Sequence, residues 1–313
     1  MGHRDRAVLP RPGRPVPRGV PAVIPLAPIP DAVAALRTAL RDGLDPEADW
    51  ARAVVPVEHG QLLLMPAEWG RYAGIKVATV APGNPARGLP RIQGSYLLLD
   101  AETLTPLTML DAAALTTLRT AAVSALAVDA LAVPDASRLV VFGTGPQARS
   151  HIAAIRAVRP VGEVVVIGRN ADRARTFASS VDAKAGSAAD VAMADVVVCA
   201  TTARTPLFDG AVLRPDVTVV AVGSHEPTAR EVDDTTVCSS TVVVEARSAA
   251  LREAGDVVRP MAAGRFDPDT LVDLASLVRG AATFDRDRPR LFKSVGMAWE
   301  DLVIAASSWE KRA

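Results

Sequence analysis

Residues 139–148 read Leu139-Val140-Val141-Phe142-Gly143-Thr144-Gly145-Pro146-Gln147-Ala148. An apolar run suited to a buried strand leads into a GxGxxA turn, and residues 147–158 follow with helical spacing. In such a turn the first glycine permits a tight bend. The second lets backbone approach a pyrophosphate, and the small third residue lets helix and strand pack closely. Free N–H groups at the helix N-terminus then point at the phosphates. Gly143, Gly145, Pro146, Gln147 and Ala148 are therefore expected to cradle a dinucleotide. The motif alone is a weak signal; what makes it specific is the strand before it, the helix after it and a second strand at 163–167.

The end of that second strand selects the cofactor. An acidic residue there binds the ribose 2′-hydroxyl, whereas an Arg accommodates a 2′-phosphate. The sequence is Ile167-Gly168-Arg169-Asn170, without a carboxylate. Arg169 and Asn170 therefore favour NADP(H), with NAD(H) as the alternative.

Outward from this stretch, strands are expected at 138–142, 163–167, 194–200, 217–222 and 241–245, with helices at 147–158 and 171–179. This alternation builds a parallel sheet with helices on both faces. Residues 128–289 are read as a Rossmann-type NAD(P)-binding domain. Thr201 and Thr202 end one of its strands and Val222, Gly223 and Ser224 another, at the carboxyl edge where ligands bind in such sheets. Upstream, a helix is expected at 31–43, with Asp31 as N-cap and Gly43 as stop. Strands at 53–57, 61–65, 74–80 and 94–100, separated by turn signals, imply an antiparallel or mixed sheet before a helix at 111–130. A helical run at 294–307 is expected to pack back on this part. The fold class is thus α/β: a Rossmann-type domain plus an α+β substrate-binding and dimerisation domain formed by 1–127 and 290–313.

Bulk properties restrict the partners. The chain has 313 residues, 49% of them hydrophobic, which is ample for a large core. Lys and Arg number 35, and so do Asp and Glu, so no basic excess advertises a nucleic-acid partner. Cys199 and Cys238 match no metal-ligand spacing, and no metal is expected. Two cysteines suit a reducing compartment, and no apolar stretch of membrane-spanning length runs free of charges or breakers. The Arg- and Pro-rich segment 1–30 lacks a leader-like apolar run and is read as a mobile arm. A cytoplasmic location is expected.

Several short segments, taken in order, resemble the ornithine cyclodeaminase/mu-crystallin family. They are Leu64-Met65-Pro66-Ala67, Gly74-Ile75-Lys76-Val77, Gly88-Leu89-Pro90, Leu115-Thr116-Thr117-Leu118-Arg119-Thr120-Ala121-Ala122, the Gly143–Ala148 turn, Arg230-Glu231-Val232-Asp233 and Phe292-Lys293-Ser294-Val295-Gly296. The resemblance runs from about Arg52 to Asp301. It implies a homodimer, a nicotinamide cofactor and chemistry at an amino-acid Cα. By the same resemblance, Arg52, Lys76 and Arg119 bind the substrate carboxylate, Arg119 lying near the nicotinamide, and Ser294 and Val295 close over that ring. Ser294 is also placed to cap a helix.

The residue types agree with those roles. A planar Arg fork binds a carboxylate bidentately, and Lys adds a point charge. A Lys desolvated beside two Arg residues has a lowered pKa and becomes fit for proton transfer. The sequence departs from the cyclodeaminase pattern after Val222-Gly223, where an Asp that handles the substrate amine is replaced by His225. A His is poorly suited to hold a cationic amine but can act as a general acid. Glu226 is a displaced carboxylate candidate. The leading expectation is an NAD(P)H-dependent oxidoreductase that reduces a small ketimine (a cyclic imino acid, or a keto acid plus an amine) to an amino acid, or runs the reverse, with Lys76 or His225 as proton donor. The alternatives are a cyclodeaminase-type ammonia lyase with internally recycled cofactor and a non-catalytic crystallin-like nucleotide-binding protein.

Overall fold

The computed structural model describes residues 24–312. The arm expected over the N-terminal segment falls mostly on residues 1–23, outside the described residues. From Ile24 the chain is packed: Ile24 and Leu26 lie against the core, and the Ala27 N–H donates to Ser308 Oγ at 2.9 Å. Helix α1 is Ile29–Arg41 and buries Ala32, Leu36 and Leu40. Asp31 is not its N-cap, contrary to the sequence reading. The helix starts two residues earlier, because Pro30 sets a helical φ in the first turn. Asp31 instead pairs with Lys311 at 2.7 Å. Gly43, at φ +106°, stops the helix as expected.

Among the described residues, strands β1 (Ala53–Val57), β2 (Gly60–Trp69), β3 (Tyr72–Val80), β4 (Ile92–Asp100) and β5 (Pro106–Asp111) form an antiparallel sheet in that order. Successive side chains point to opposite faces. The cross-strand neighbours Met65, Lys76 and Tyr96 therefore all point inward and are buried, while Leu64 and Val77 face the other way. Strand β5 was not expected; it begins at Pro106, a position where a missing N–H is tolerated.

Helix α2 (Ala112–Leu131) follows, capped by Asp111, which accepts from the Ala114 N–H at 2.7 Å. By length and composition this helix could cross a membrane, but 72% of its apolar stretch is buried inside the protein. A helix apolar all round is a core helix when other elements surround it. It packs against α1, the antiparallel sheet and the nucleotide half.

The second sheet, eight-stranded among the described residues, is parallel throughout. Its strands are β6 (Arg138–Phe142), β7 (Glu163–Ile167), β8 (Lys184–Ala185), β9 (Val196–Cys199), β10 (Thr218–Ala221), β11 (Thr241–Val244), β12 (Val272–Asp273) and β13 (Arg290–Lys293). Their spatial order is β12-β11-β13-β10-β9-β6-β7-β8. Helices α3 (Pro146–Arg156), α4 (Ala171–Ser179), α5 (Asp234–Ser239), α6 (Arg247–Glu253), α7 (Gly255–Ala262) and α8 (Leu274–Val278) connect them. From β6 the chain goes to β7 and β8 on one side, then returns to β9 on the other. Such a reversal of strand order opens a crevice at the carboxyl ends of β6 and β9.

The last segment differs from the sequence reading, which placed 290–313 with the first domain and one helix at 294–307. Residues Arg290–Lys293 form β13, paired in parallel with β10 and β11 inside the nucleotide-half sheet. All four side chains are buried, so the strand shows no period-2 pattern to read. A turn follows, with Gly296 at φ +77°, and helix α9 (Ala298–Glu310) then packs on α1, α2, β2 and β3. One continuous segment therefore runs from the nucleotide sheet into the antiparallel layer.

Candidate active site

The glycine turn after β6 has the shape a dinucleotide needs. Gly143 adopts φ +125°, and a Cβ there would lie 2.4 Å from the Ala200 carbonyl oxygen. Gly145 faces open space, which leaves backbone room for a pyrophosphate. Pro146 opens α3, and Ala148 is fully buried against β6. Gln147 donates to the Thr116 carbonyl at 3.4 Å and so ties α3 to α2. At the end of β7, Asn170 caps α4 by accepting from the Arg173 N–H at 2.8 Å, beside the exposed Arg169.

One carboxylate organises the other side of the crevice. Glu231 accepts from the N–H and hydroxyl of Thr201 at 2.8 and 2.7 Å, and from the Gly223 N–H at 2.6 Å. It thereby fixes the chain just beyond β9 and β10. Thr202 is exposed, Val222 is half-buried, and Ser224 is buried with its hydroxyl on the Ala229 carbonyl at 2.6 Å. Beneath them Asp256 accepts from the Glu231 and Val232 N–H groups at 2.7 and 2.9 Å. Lys293, fully buried, reaches Asp256 at 3.1 Å and the Ser224 carbonyl at 2.6 Å. These residues fit a bound nicotinamide dinucleotide: glycines along the diphosphate, and pinned strand ends beside the ring.

Three cations meet where α9 crosses the antiparallel sheet. Lys76 Nζ lies 2.6 Å from Asp301 Oδ2, and both are buried. Arg119 Nη1 donates to Glu300 Oε2 at 2.8 Å, and its Nε lies 3.6 Å from Asp301 Oδ1. Arg52 donates to the Val295 and Gly296 carbonyls at 2.8 and 2.6 Å and pairs with Glu253 at 3.0 Å. Burial pulls the Lys76 pKa down from 10.5 to about 8. Asp301 opposes that shift, while Arg119 and Arg52 add to it. The carboxylates keep Arg119 charged despite its burial. Asp49 accepts from the Ala298 and Trp299 N–H groups at 2.8 and 3.1 Å, so it caps α9 from a distance. Burial raises its pKa to about 6.

The 294–296 turn joins both parts of the site. Ser294 Oγ donates to Glu245 Oε1 at 2.6 Å, and the Val295 N–H donates to Glu245 Oε2 at 2.8 Å. Ser294 is not a helix cap, contrary to one sequence reading: α9 starts at Ala298, because the left-handed Gly296 interrupts the helical run. His225 lies on the loop after β10. Its side chain is exposed, yet nearby protein and then Arg52 lower its pKa below 6.5. Glu226 pairs with Arg204 at 3.0 Å on the surface.

The structure thus brings together Arg52, Lys76, Arg119, Ser294 and Val295, and sets the glycine turn, Thr201 and Gly223 along a crevice. Sequence reasoning missed the acidic partners Asp49, Glu231, Glu245, Glu253, Glu300 and Asp301. Three of them carried a legible signal. Glu300-Asp301 interrupts an otherwise apolar helix, and Glu245 sits at the carboxyl end of an apolar parallel strand.

A Rossmann-type sheet with a glycine turn at its switch point, beside a buried set of Lys and Arg side chains, defines a nicotinamide-dependent oxidoreductase acting on a small organic acid. Comparison with known proteins narrows this. A model of the ornithine cyclodeaminase/mu-crystallin family matches residues 29–312, and the chain belongs to that family. It is 38% identical over 265 residues to the Δ1-pyrroline-2-carboxylate/Δ1-piperideine-2-carboxylate reductase of Azospirillum brasilense, covering 82% of this chain and 83% of that one. The structure of Thermococcus litoralis Δ1-pyrroline-2-carboxylate reductase with NADH and L-proline superposes with a TM-score of 0.86 at 30% identity, covering 91% and 94% of the two chains. An archaeal alanine dehydrogenase dimer with bound NAD gives a TM-score of 0.85 at 25% identity, covering 93% and 95%.

The Lys76–Asp301 pair gives a direct test of this electrostatic arrangement. Asp301 favours the ammonium form of Lys76. In Asp301→Asn the Lys76 titration, followed by NMR of labelled lysine, should therefore fall below the wild-type value of about 8. An unchanged midpoint would mean that Asp301 is itself neutral in the folded protein.

Proposed function

We propose that this chain catalyses the NADPH-dependent reduction of a small cyclic imino acid to the corresponding amino acid. The observation that carries this reading is Lys76. It is a buried ammonium with a pKa of about 8, set between two Arg side chains and next to the turn that borders the dinucleotide crevice. Such a group is charged at neutral pH and still acidic enough to give its proton to an imine nitrogen. The names of the A. brasilense and T. litoralis relatives support the substrate class.

The chemistry divides among the residues as follows. The reduced nicotinamide, when bound, supplies the hydride that ends on the imine carbon. Arg52 and Arg119 bind the substrate carboxylate and turn the C=N carbon toward the crevice. Val295 closes that side, with Ser294 lining the nicotinamide end. Lys76 donates its proton to the nitrogen, so one hydride and one proton together convert C=N to CH–NH. His225, with its lowered pKa, is neutral at pH 7 and does not serve as the acid. A neutral imidazole at that position also lacks the charge to hold a cationic side-chain amine, which disfavours ammonia-eliminating cyclisation of a diamino acid.

Lys76 must be protonated for reduction, so reductive kcat/KM should fall as pH rises through about 8, and oxidation of the cyclic amino acid should rise over the same range. Steady-state assays of NADPH loss with five- and six-membered cyclic imino acids check this. Lys76→Ala should lose about 100-fold or more in kcat, and His225→Ala much less. Ornithine converted to a cyclic product with no net change in NADPH would overturn the reading.

The cofactor preference rests on the end of β7. Arg169 is exposed there beside the N-terminus of α4, with no carboxylate to repel a 2′-phosphate. One charge-assisted hydrogen bond contributes about 1.5–3 kcal/mol. Arg169→Ala should therefore raise KM for NADPH by about 10- to 100-fold and leave KM for NADH nearly unchanged. Equal effects on both cofactors would remove Arg169 from that role.

The chain is further proposed to act as a homodimer through its antiparallel sheet. On the face opposite Lys76, Val55, Leu62, Leu64, Ile75, Val77 and Leu97 form a continuous apolar surface that is half-buried or exposed. Covering such a face in water is favourable at about 25 cal/mol per Å², and the related alanine dehydrogenase is a dimer. Val77→Glu should shift the protein to monomer in sedimentation velocity. A wild-type protein that sediments as a monomer would refute the assignment.

A further inference from the structure

Glu245 and Glu300 are buried, come from opposite halves of the molecule and face each other. Glu245 follows β11, and its two oxygens accept from the Ser294 hydroxyl at 2.6 Å, the Val295 N–H at 2.8 Å and the Gly296 N–H at 3.1–3.2 Å. Glu300, in the first turn of α9, accepts from Arg119 through Oε2. Its other oxygen, Oε1, is fully buried with no hydrogen-bond partner, and Glu245 is its acidic neighbour. Two buried carboxyls side by side repel unless one of them carries a proton. Both Glu245 oxygens already accept from O–H or N–H donors, whereas Glu300 Oε1 accepts from none, so the proton is assigned to Glu300.

The surrounding charges agree with that assignment. Glu300 meets Arg119 from α2, Glu245 from the end of β11 and Asp301 from its own helix; Arg52 and Lys76 lie beyond these neighbours. Burial and Glu245 push the Glu300 pKa well above the ordinary carboxyl value, with only Arg119 opposing. The contact is also closed geometrically. A Cβ on Gly296 would lie 2.2 Å from Arg119 Nη1, so the guanidinium rests directly on the turn that Glu245 holds.

We propose that Glu245 and Glu300 are positioning residues that share one proton, and that this pair locks the Arg119 guanidinium against the 294–296 turn while leaving its charge free for a substrate carboxylate. An ionised Glu300, with Asp301 beside it, would over-neutralise Arg119 before any substrate arrived. A neutral Glu300 holds the guanidinium by a hydrogen bond and keeps its electrostatic pull. The inference rests on the reading of Arg119 as a carboxylate-binding group, but its protonation part does not.

Glu300→Gln copies the protonated acid: its amide oxygen accepts from Arg119 and its NH2 donates to Glu245. The expected result is imino-acid kcat/KM close to wild type. Glu300→Ala and Glu245→Gln should each raise the imino-acid KM by about tenfold or more, and Glu300→Ala should do so with NADPH affinity unchanged. Stability supplies a readout independent of turnover. A carboxyl whose pKa is raised on folding stabilises fully below its unfolded pKa of about 4.5, and that contribution is lost as pH rises through the folded value. Gln has no such loss. Thermal midpoints measured from about pH 5 to about pH 9 should therefore show Glu300→Gln gaining on wild type as pH rises. A protonated-carboxyl infrared band should also be present in wild type and absent from Glu300→Gln. The idea is overturned if Glu300→Gln is less stable at every pH and binds substrate as poorly as Glu300→Ala, because Glu300 is then an ionised partner of Arg119. Unchanged kinetics in Glu300→Ala would equally overturn the positioning role. If no imino acid is turned over by wild type, the functional reading fails while the stability and infrared results still decide where the proton lies.

Discussion

The buried contact between Lys76 and Asp301 is the constraint on which the rest of the site depends. It joins the middle of the antiparallel sheet to α9, and α9 continues directly from β13 of the parallel sheet. A buried ion pair is not an economical way to stabilise a protein, since well-packed apolar residues of similar size often do as well or better. Burying Lys76, Arg119 and Arg52 together with their acidic partners is instead explained by the need for positive charge in a dry place. There a carboxylate is bound strongly and a lysine becomes a usable acid.

The nucleotide half obeys the same logic. Glu231 holds the chain beyond β9 and β10 at once, Asp256 holds Glu231, and buried Lys293 holds Asp256. Each carboxylate has its donors, so these loops are rigid where a flat ring has to be received. The two networks meet at the 294–296 turn, whose N–H groups face Glu245 and whose carbonyls face Arg52. One short turn thus sets the distance between the dinucleotide crevice and the buried cations.

Much of the architecture was legible because it is written in short-range patterns. The alternation of apolar strands and helices after Pro134, the glycine turn and the antiparallel strands each depend on residues near one another in sequence. The errors also have local causes. Pro30 displaced the start of α1, and β13, buried on both faces, carries no alternation. Gly296 delayed α9. The acidic partners were illegible for a different reason: Lys76 and Asp301 lie 225 residues apart, and Arg119 and Glu300 lie 181 apart.

By itself the sequence determined the dinucleotide turn, the parallel α/β half and the absence of a carboxylate at the end of β7. These follow from residue identity and spacing, which constrain backbone geometry and the local charge near a ligand. Only the tertiary structure decided which cations are buried, which carboxylate faces each of them, and that burial and Arg52 lower the His225 pKa. Protonation and charge strength depend on desolvation and on partners brought from distant parts of the chain, and no local pattern encodes those.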